Sequence, residues 1–503
     1  MQSTRMAASA MLMMLSSAIS HGCFLLIAVV LARSLEVAEF GTFNQVWLVN
    51  KSLLYMFALG LPVSVYYFLP RLPDAKRKGF VLQTMVSLTI LALPFSIAMY
   101  LLADWLARYF HNPGLAQYLR LFAVYPLLTL PTISTDAILI GLGRTKYAAL
   151  FEITTKTMMV LAVSAAGVLT QRLDLVFKAL VAYALAQSLL GVWMVWRPLR
   201  HMTLRFSPAD WKSQVAFAAP YGVATLAGAL NYQVDKVLVA LVYPPAVFAL
   251  YAAGAFEIPL AGVTSVPVVS VIMGELGRRF TAGDIEGFLR LWHQSLLKLA
   301  VPAFAVAALL MVLAGPVLVT LFSSKYAAAV GLFRIYLLFV LLRITIPEQV
   351  LASLGDTRFV FKAQLAALTT NIILGYALVR SVGWVGPALG AVAAGYLFAT
   401  LVMLRIRGRL NVPLGQLIPW PALGRMALVA VLAAAGAAGV TLLPLDAGWS
   451  IGAGTLVFAT LYVLGSLRIQ SITPDDLRTV WSWVLTARGS LRKREALGNG
   501  THQ

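Results

Sequence analysis

The sequence predicts an all-α polytopic membrane protein of about fourteen transmembrane helices: two six-helix bundles in parallel repeat around a central cavity, plus two C-terminal helices. Three observations predict it. First, 60% of the 503 residues are hydrophobic and 12% are charged, where soluble globular chains carry roughly 25% charged residues. A water-soluble fold of this size could not cover itself with so few charges. Second, apolar runs of about 20 residues, each matching a hydrocarbon core of about 30 Å, recur along nearly the whole chain between short polar segments. Third, similar segments recur at a nearly fixed offset.

In chain order the spans are 8–31, 43–68, 79–103, 115–140, 147–169, 175–196, 213–241, 247–276, 294–321, 329–353, 359–379, 385–404, 423–443 and 449–466. None shows the apolar and polar dyad of a lipid-facing strand, which argues against a transmembrane barrel. The first span follows Arg5 and is too long for a signal-peptide core, so it reads as a retained helix. It is unusually polar, with Ser16, Ser17, Ser20 and His21. Span two carries Lys51 and, late in its course, Gly60 and Pro62; Pro94, Pro126, Pro131, Pro220, Pro259, Pro267, Pro302 and Pro347 fall within later spans, where they kink or hinge helices. In span five Glu152 and Lys156 stand four apart and are expected to pair on one helix. Ser207-Pro-Ala-Asp210 combines an N-cap oxygen, a proline at the first helical position and an acid three residues on, so a surface helix starts there and leads into span seven. Thr473-Pro-Asp-Asp476 repeats the device ahead of Trp481 and Trp483, an interfacial helix before a disordered tail.

Most of the 39 basic residues fall in the segments that are cytoplasmic if the N-terminus is cytoplasmic, which places both termini on that side. The same bias accounts for the net charge of +20 as basic loops beside anionic membrane lipids, without a nucleic-acid partner, because no aromatic-basic binding module accompanies it. Cys23 is the single cysteine, so one chain holds no disulfide and no cysteine metal site.

Leu139-Ile-Gly-Leu-Gly143-Arg-Thr145-Lys-Tyr147 reappears as Leu351-Ala-Ser-Leu-Gly355-Asp-Thr357-Arg-Phe359, and Val37 to Phe43 corresponds to Val247 to Ala253. Six spans separate the members of each pair. Six is even, so both copies enter the membrane from the same side and the repeat is parallel, which places two bundles around a cleft. The expected organisation is an N-terminal six-helix lobe over 1–200, a C-terminal lobe over 201–411, an appended pair over 412–470, and the interfacial helix and tail over 471–503.

Leu31-Ala-Arg33-Ser-Leu-Glu-Val-Ala-Glu-Phe40-Gly41, Gly60-Leu61-Pro62, Leu142-Gly143-Arg-Thr145, and Asp235 followed by Val247 to Ala253 are loose motifs whose order and spacing resemble the bacterial polysaccharide flippases. These are the Wzx-like branch of the multidrug, oligosaccharidyl-lipid and polysaccharide exporter superfamily. The resemblance covers the first 410 residues or so, and departs from the pattern at Leu250-Tyr251, where a small glycine is expected. It implies a non-enzymatic transporter of the bacterial cytoplasmic membrane. Such a protein carries an undecaprenyl-diphosphate-linked oligosaccharide to the outer leaflet by alternating access, for surface polysaccharide, alongside polysaccharide polymerase machinery. The appended pair resembles that of fourteen-helix members, including the lipid II flippase.

Charge in hydrocarbon is costly, so ionisable residues within spans face a bundle interior or a wet cavity. Glu275, Lys298, Asp136 and Glu348 lie near the inner surface, where long chains snorkel. With the offset of the repeat, His21 corresponds to Asn231, with Asp235 one turn beyond on the same face; Trp47 corresponds to Glu257, and Lys51 lies one turn past Trp47. Lys51, His21 and Arg343, with Lys236 and Asn231, are therefore the expected lining for a diphosphate head group, to which Arg offers a fork and Lys a point charge. Asp235 and Glu257 are the candidates for coupling to H+ or Na+. His21 lacks a second His or Cys at ligand spacing, which argues against a metal site. A cation-coupled multidrug or small-solute antiporter of the same superfamily is the nearest alternative and should favour buried carboxylates. An embedded enzyme would need a catalytic aqueous loop, and the outside connections are too short for one. A scaffold would have no use for matched polar residues at depth.

Overall fold

The computed structural model describes residues 2–256, 272–342, 344–444 and 446–471. Among these the protein is helical throughout, without a strand. The chain opens with α1 (Gln2–Ser34) and re-enters as α2 (Val37–Ala58), whose start is fixed by Glu39 accepting from the Glu36 backbone N–H at 3.3 Å. Leu59 and Gly60 both take positive φ, ending α2. With Pro62 in its first turn, α3 (Leu61–Phe68) continues at a bend of 46°, so the Gly60-Leu-Pro62 signal marks a real break. There follow α4 (Asp74–Leu101), α5 (Ala103–Tyr109), α6 (Leu115–Phe122), α7 (Val124–Thr129), α8 (Thr135–Gly141), α9 (Thr145–Thr170) and α10 (Leu173–Leu199). The breaks between α6, α7 and α8 cluster around Pro126 and Pro131, as rings without an N–H require.

The next stretch opens at Ser207, whose hydroxyl accepts from the Asp210 backbone N–H at 3.2 Å, so the expected cap forms. It comprises α11 (Pro208–Asn231), α12 (Val234–Val242) and α13 (Pro245–Gly254). After it come α14 over 272–281, α15 (Ile285–Phe322), α16 (Val330–Leu342), α17 (Pro347–Ser353), α18 (Thr357–Ser381), α19 (Gly386–Leu410), α20 (Leu414–Leu417), α21 (Trp420–Thr441) and α22 (Ala447–Arg468).

Eleven of the described helical segments are long and apolar enough to cross a membrane, twelve if α2 and α3 form one bent span. The two remaining expected spans are 213–241, which is broken between α11 and α12, and 247–276, half of which lies outside the described residues. Glu257, Pro259, Pro267, Arg343, the Thr473 cap, Trp481 and Trp483 also lie outside them. Large apolar side chains face outward at mid-helix, Leu161 of α9 at 65% and Leu432 of α21 at 61% exposure. Acyl chains suit such a surface and water does not.

In the first half α1 packs on α9, α9 on α10, and α10 on α7 and α8; in the second, α11 and α12 pack on α18, α18 on α19, and α19 on α16 and α17. The two halves meet chiefly along α2, which touches α11 and α13. Each end of that seam relies on glycine. A Cβ on Gly41 would fall 1.9 Å from the Pro245 carbonyl oxygen, and one on Gly222 would fall 2.5 Å from the Leu59 carbonyl carbon. Near the Gly222 end, Gln214 donates to Ser64 Oγ at 2.9 Å and Thr84 Oγ1 at 2.8 Å, and Lys76 pairs with Asp210 at 3.0 Å. The terminal pair α21 and α22 packs against α15 through Ala430, Ala433 and Ala437, small residues of the kind that let membrane helices approach closely.

Candidate functional site

The break between α11 and α12 has a side-chain cause. In an unbroken helix the Asn231 carbonyl would accept from the N–H of residue 235. Instead the Asn371 amide of α18 donates to both the Asn231 carbonyl and its Oδ1, each at 2.9 Å, and Gln233 bonds back to Leu230. Asn231 and Asp235 therefore do not share one continuous helical face, which corrects the sequence expectation. Asp235 opens the first turn of α12, where a negative charge meets the positive end of the helix dipole.

Asp235 is 2% exposed. Tyr251 of α13 donates to its Oδ2 at 2.8 Å, Tyr336 of α16 donates to the same oxygen, and Lys236 Nζ lies 3.7 Å from Oδ1. That ammonium also donates to the Tyr232 carbonyl at 3.1 Å and sits 4.6 Å from the centre of the Tyr232 ring. The carboxylate is thus held by two phenols and one cation from three helices. Tyr251, which stands where the resemblance led us to expect a small glycine, is one of the two phenols. Sequence reasoning missed Tyr336 and Asn371.

Neither His21 nor Lys51 is among the described partners of the Asp235 carboxylate. His21 is exposed on α1, its Nδ1 2.7 Å from the Ser17 carbonyl oxygen. Lys51 is exposed on α2, one turn before Tyr55. Glu257 and Arg343 are outside the described residues. Glu152 and Lys156 attract one another on α9 but make no close ion pair. Ser16 and Ser20 of α1 donate to the two Glu152 carboxylate oxygens at 2.8 Å each, and Lys156 Nζ lies 5.1 Å from the Phe24 ring centre.

A cavity of about 1580 Å³ opens where Tyr55 of α2 faces α11, α17 and α18. Tyr221 and Tyr232 of α11, Glu348 of α17, and Arg358 and Lys362 of α18 line it. Drug-sized ligands occupy roughly 300–1,000 Å³, so this space suits something larger. Tyr232 joins it to the Asp235 cluster, because Lys236 sits over that ring.

The family described as polysaccharide biosynthesis protein matches residues 6–272, more than half of the chain. The chain belongs to the polysaccharide biosynthesis protein family. Three solved structures show the fold of this family member. The lipid II flippase MurJ in an inward closed conformation aligns with a TM-score of 0.72 at 13% identity, over 92% of this chain and 98% of that one. An inward-facing multidrug resistance MATE family transporter of the MOP superfamily aligns at 0.67 and 14% identity, over 78% and 94%. A MOP superfamily transporter from Pyrococcus furiosus, whose binding pocket is described as of reverse polarity, aligns at 0.59 and 14% identity, over 80% and 95%. No curated protein matches the chain. The family member shares the fold of these three structures and is a multi-pass membrane protein.

Proposed function

We propose that this polysaccharide biosynthesis family member flips a lipid-linked oligosaccharide, carried on undecaprenyl diphosphate, across the bacterial cytoplasmic membrane by alternating access. The observation that carries the reading is the large cavity between Tyr55 and the α11, α17 and α18 walls, which combines phenolic rings, cations and room for a bulky polar head. Two six-helix lobes, 1–200 and 201–411, rock about the α2 seam; the same order of helix pairings within each half supports that division. The pair over 412–470 packs on α15, and both termini face the cytoplasm with the basic loops.

Lys51, His21, Arg343, Lys236 and Asn231 take the diphosphate and its sugar, and Asp235 with Glu257 couples the cycle to H+ or Na+. The greater share of the chain that superposes on the lipid II flippase than on the MATE transporter, 92% against 78%, supports a lipid-linked cargo. Deleting the protein tests this: lipid-linked glycan should accumulate on the cytoplasmic leaflet, read by mass spectrometry and leaflet-specific labelling. Normal surface glycan together with drug hypersensitivity would replace the flippase with the antiporter.

A further inference from the structure

Arg358 and Lys362 stand four residues apart at the start of α18 and share one face of it. Both are exposed and both line the cavity. Other cations nearby in the sequence or on adjoining helices are engaged by the protein itself. Arg405 pairs with Asp356 at 2.7 Å, Arg409 donates to the Leu354 carbonyl at 3.1 Å, and Arg279 pairs with Glu275 at 2.8 Å. Arg358 and Lys362 make no hydrogen bond, ion pair or ring contact with any described residue. Like charges at this spacing destabilise a helix, so fold stability gives no reason for the pair. Glu348 is the one carboxylate among the described lining residues, against the two cations Arg358 and Lys362.

We propose that Arg358 and Lys362 are the docking station for the diphosphate of a lipid-linked sugar, reached before the Lys236 end of the same cavity; this rests on the flippase reading. A diphosphate presents adjacent anionic oxygens, matching a guanidinium fork beside a point charge. From Tyr221 to Tyr232 the cavity follows about 16 Å of helix axis. Two cations line its wall, and the Tyr232 ring carries a third, Lys236, 4.6 Å from its centre. Tyr55, Tyr221 and Tyr232 offer apolar faces with polar tips between the two stations, a surface suited to sugar rings.

The test uses the full chain in nanodiscs of uncharged lipid and a fluorescent polyprenyl-diphosphate sugar as probe. Arg358→Ala with Lys362→Ala should weaken binding at least about tenfold, Arg358→Lys with Lys362→Arg should stay within about threefold, and Glu348→Gln should tighten it. Inorganic pyrophosphate should compete, and less so in the double alanine variant, because the anion is what the pair reads. Competition by phosphatidylglycerol and not by pyrophosphate would assign the pair to bulk lipid and overturn the proposal. Unchanged probe affinity in a well-folded double alanine variant would also overturn it, while glycan accumulation on gene deletion would keep the flippase reading standing. If the wild-type chain binds no probe and deletion accumulates no glycan, both readings fall together.

Discussion

A carboxylate shut away from water needs donors around it, and Asp235 finds them in Tyr251, Tyr336 and Lys236. Removing the Tyr251 hydroxyl deletes a hydrogen bond to a charged group, worth about 1.5–3 kcal/mol. Tyr251→Phe should therefore lower the melting temperature of the detergent-solubilised protein without stopping transport. Asp235→Asn should instead remove the dependence of transport on a proton or sodium gradient; full dependence retained in that variant would acquit Asp235. Asp235, Lys236 and Asn231 were legible as polar residues in an apolar run. Their partners were not, because Tyr336 and Asn371 reach them from helices 101 and 140 residues away in sequence. Nothing in the sequence sets Arg358 and Lys362 apart, since a positive charge at a membrane boundary looks alike whether it faces lipid or a cavity.

Among the helices, local chemistry was the readable part. The Ser207 cap and the Gly60-Leu61-Pro62 break both form where the residues place them. The α11–α12 break has no such signature, because its cause is a side chain on α18. The α2 seam adds a prediction of its own. Gly41→Ala would press on Pro245 and Gly222→Ala on Leu59, each costing about 1–3 kcal/mol of overpacking, but at opposite ends of the seam. With spin labels at Glu36 and Pro244 for one end and Arg71 and Lys212 for the other, Gly41→Ala should lengthen only the first distance. Gly222→Ala should lengthen only the second. Equal changes at both ends in either variant would mean that the seam opens as one body and not end by end.

At the scale of the whole molecule, the outward-facing apolar side chains and the cavity between halves follow from one arrangement. Helices turn leucines to acyl chains and reserve their charges for an interior that water can enter. Hydropathy alone made the membrane class legible, since burial in lipid leaves a signal in composition. The repeat pointed to a cleft between bundles but not to its lining, because these walls come from α2, α11, α17 and α18 together. Labelling tests that cavity most directly. Cys23 is the only cysteine, so Cys23→Ser gives a background in which Tyr55→Cys, Tyr221→Cys and Arg358→Cys can each be probed with a membrane-impermeant thiol reagent. All three should be labelled from the cytoplasmic side, and more slowly with added lipid-linked glycan; no labelling of any of them from either side, with or without an ion gradient, would mean that no such cavity exists.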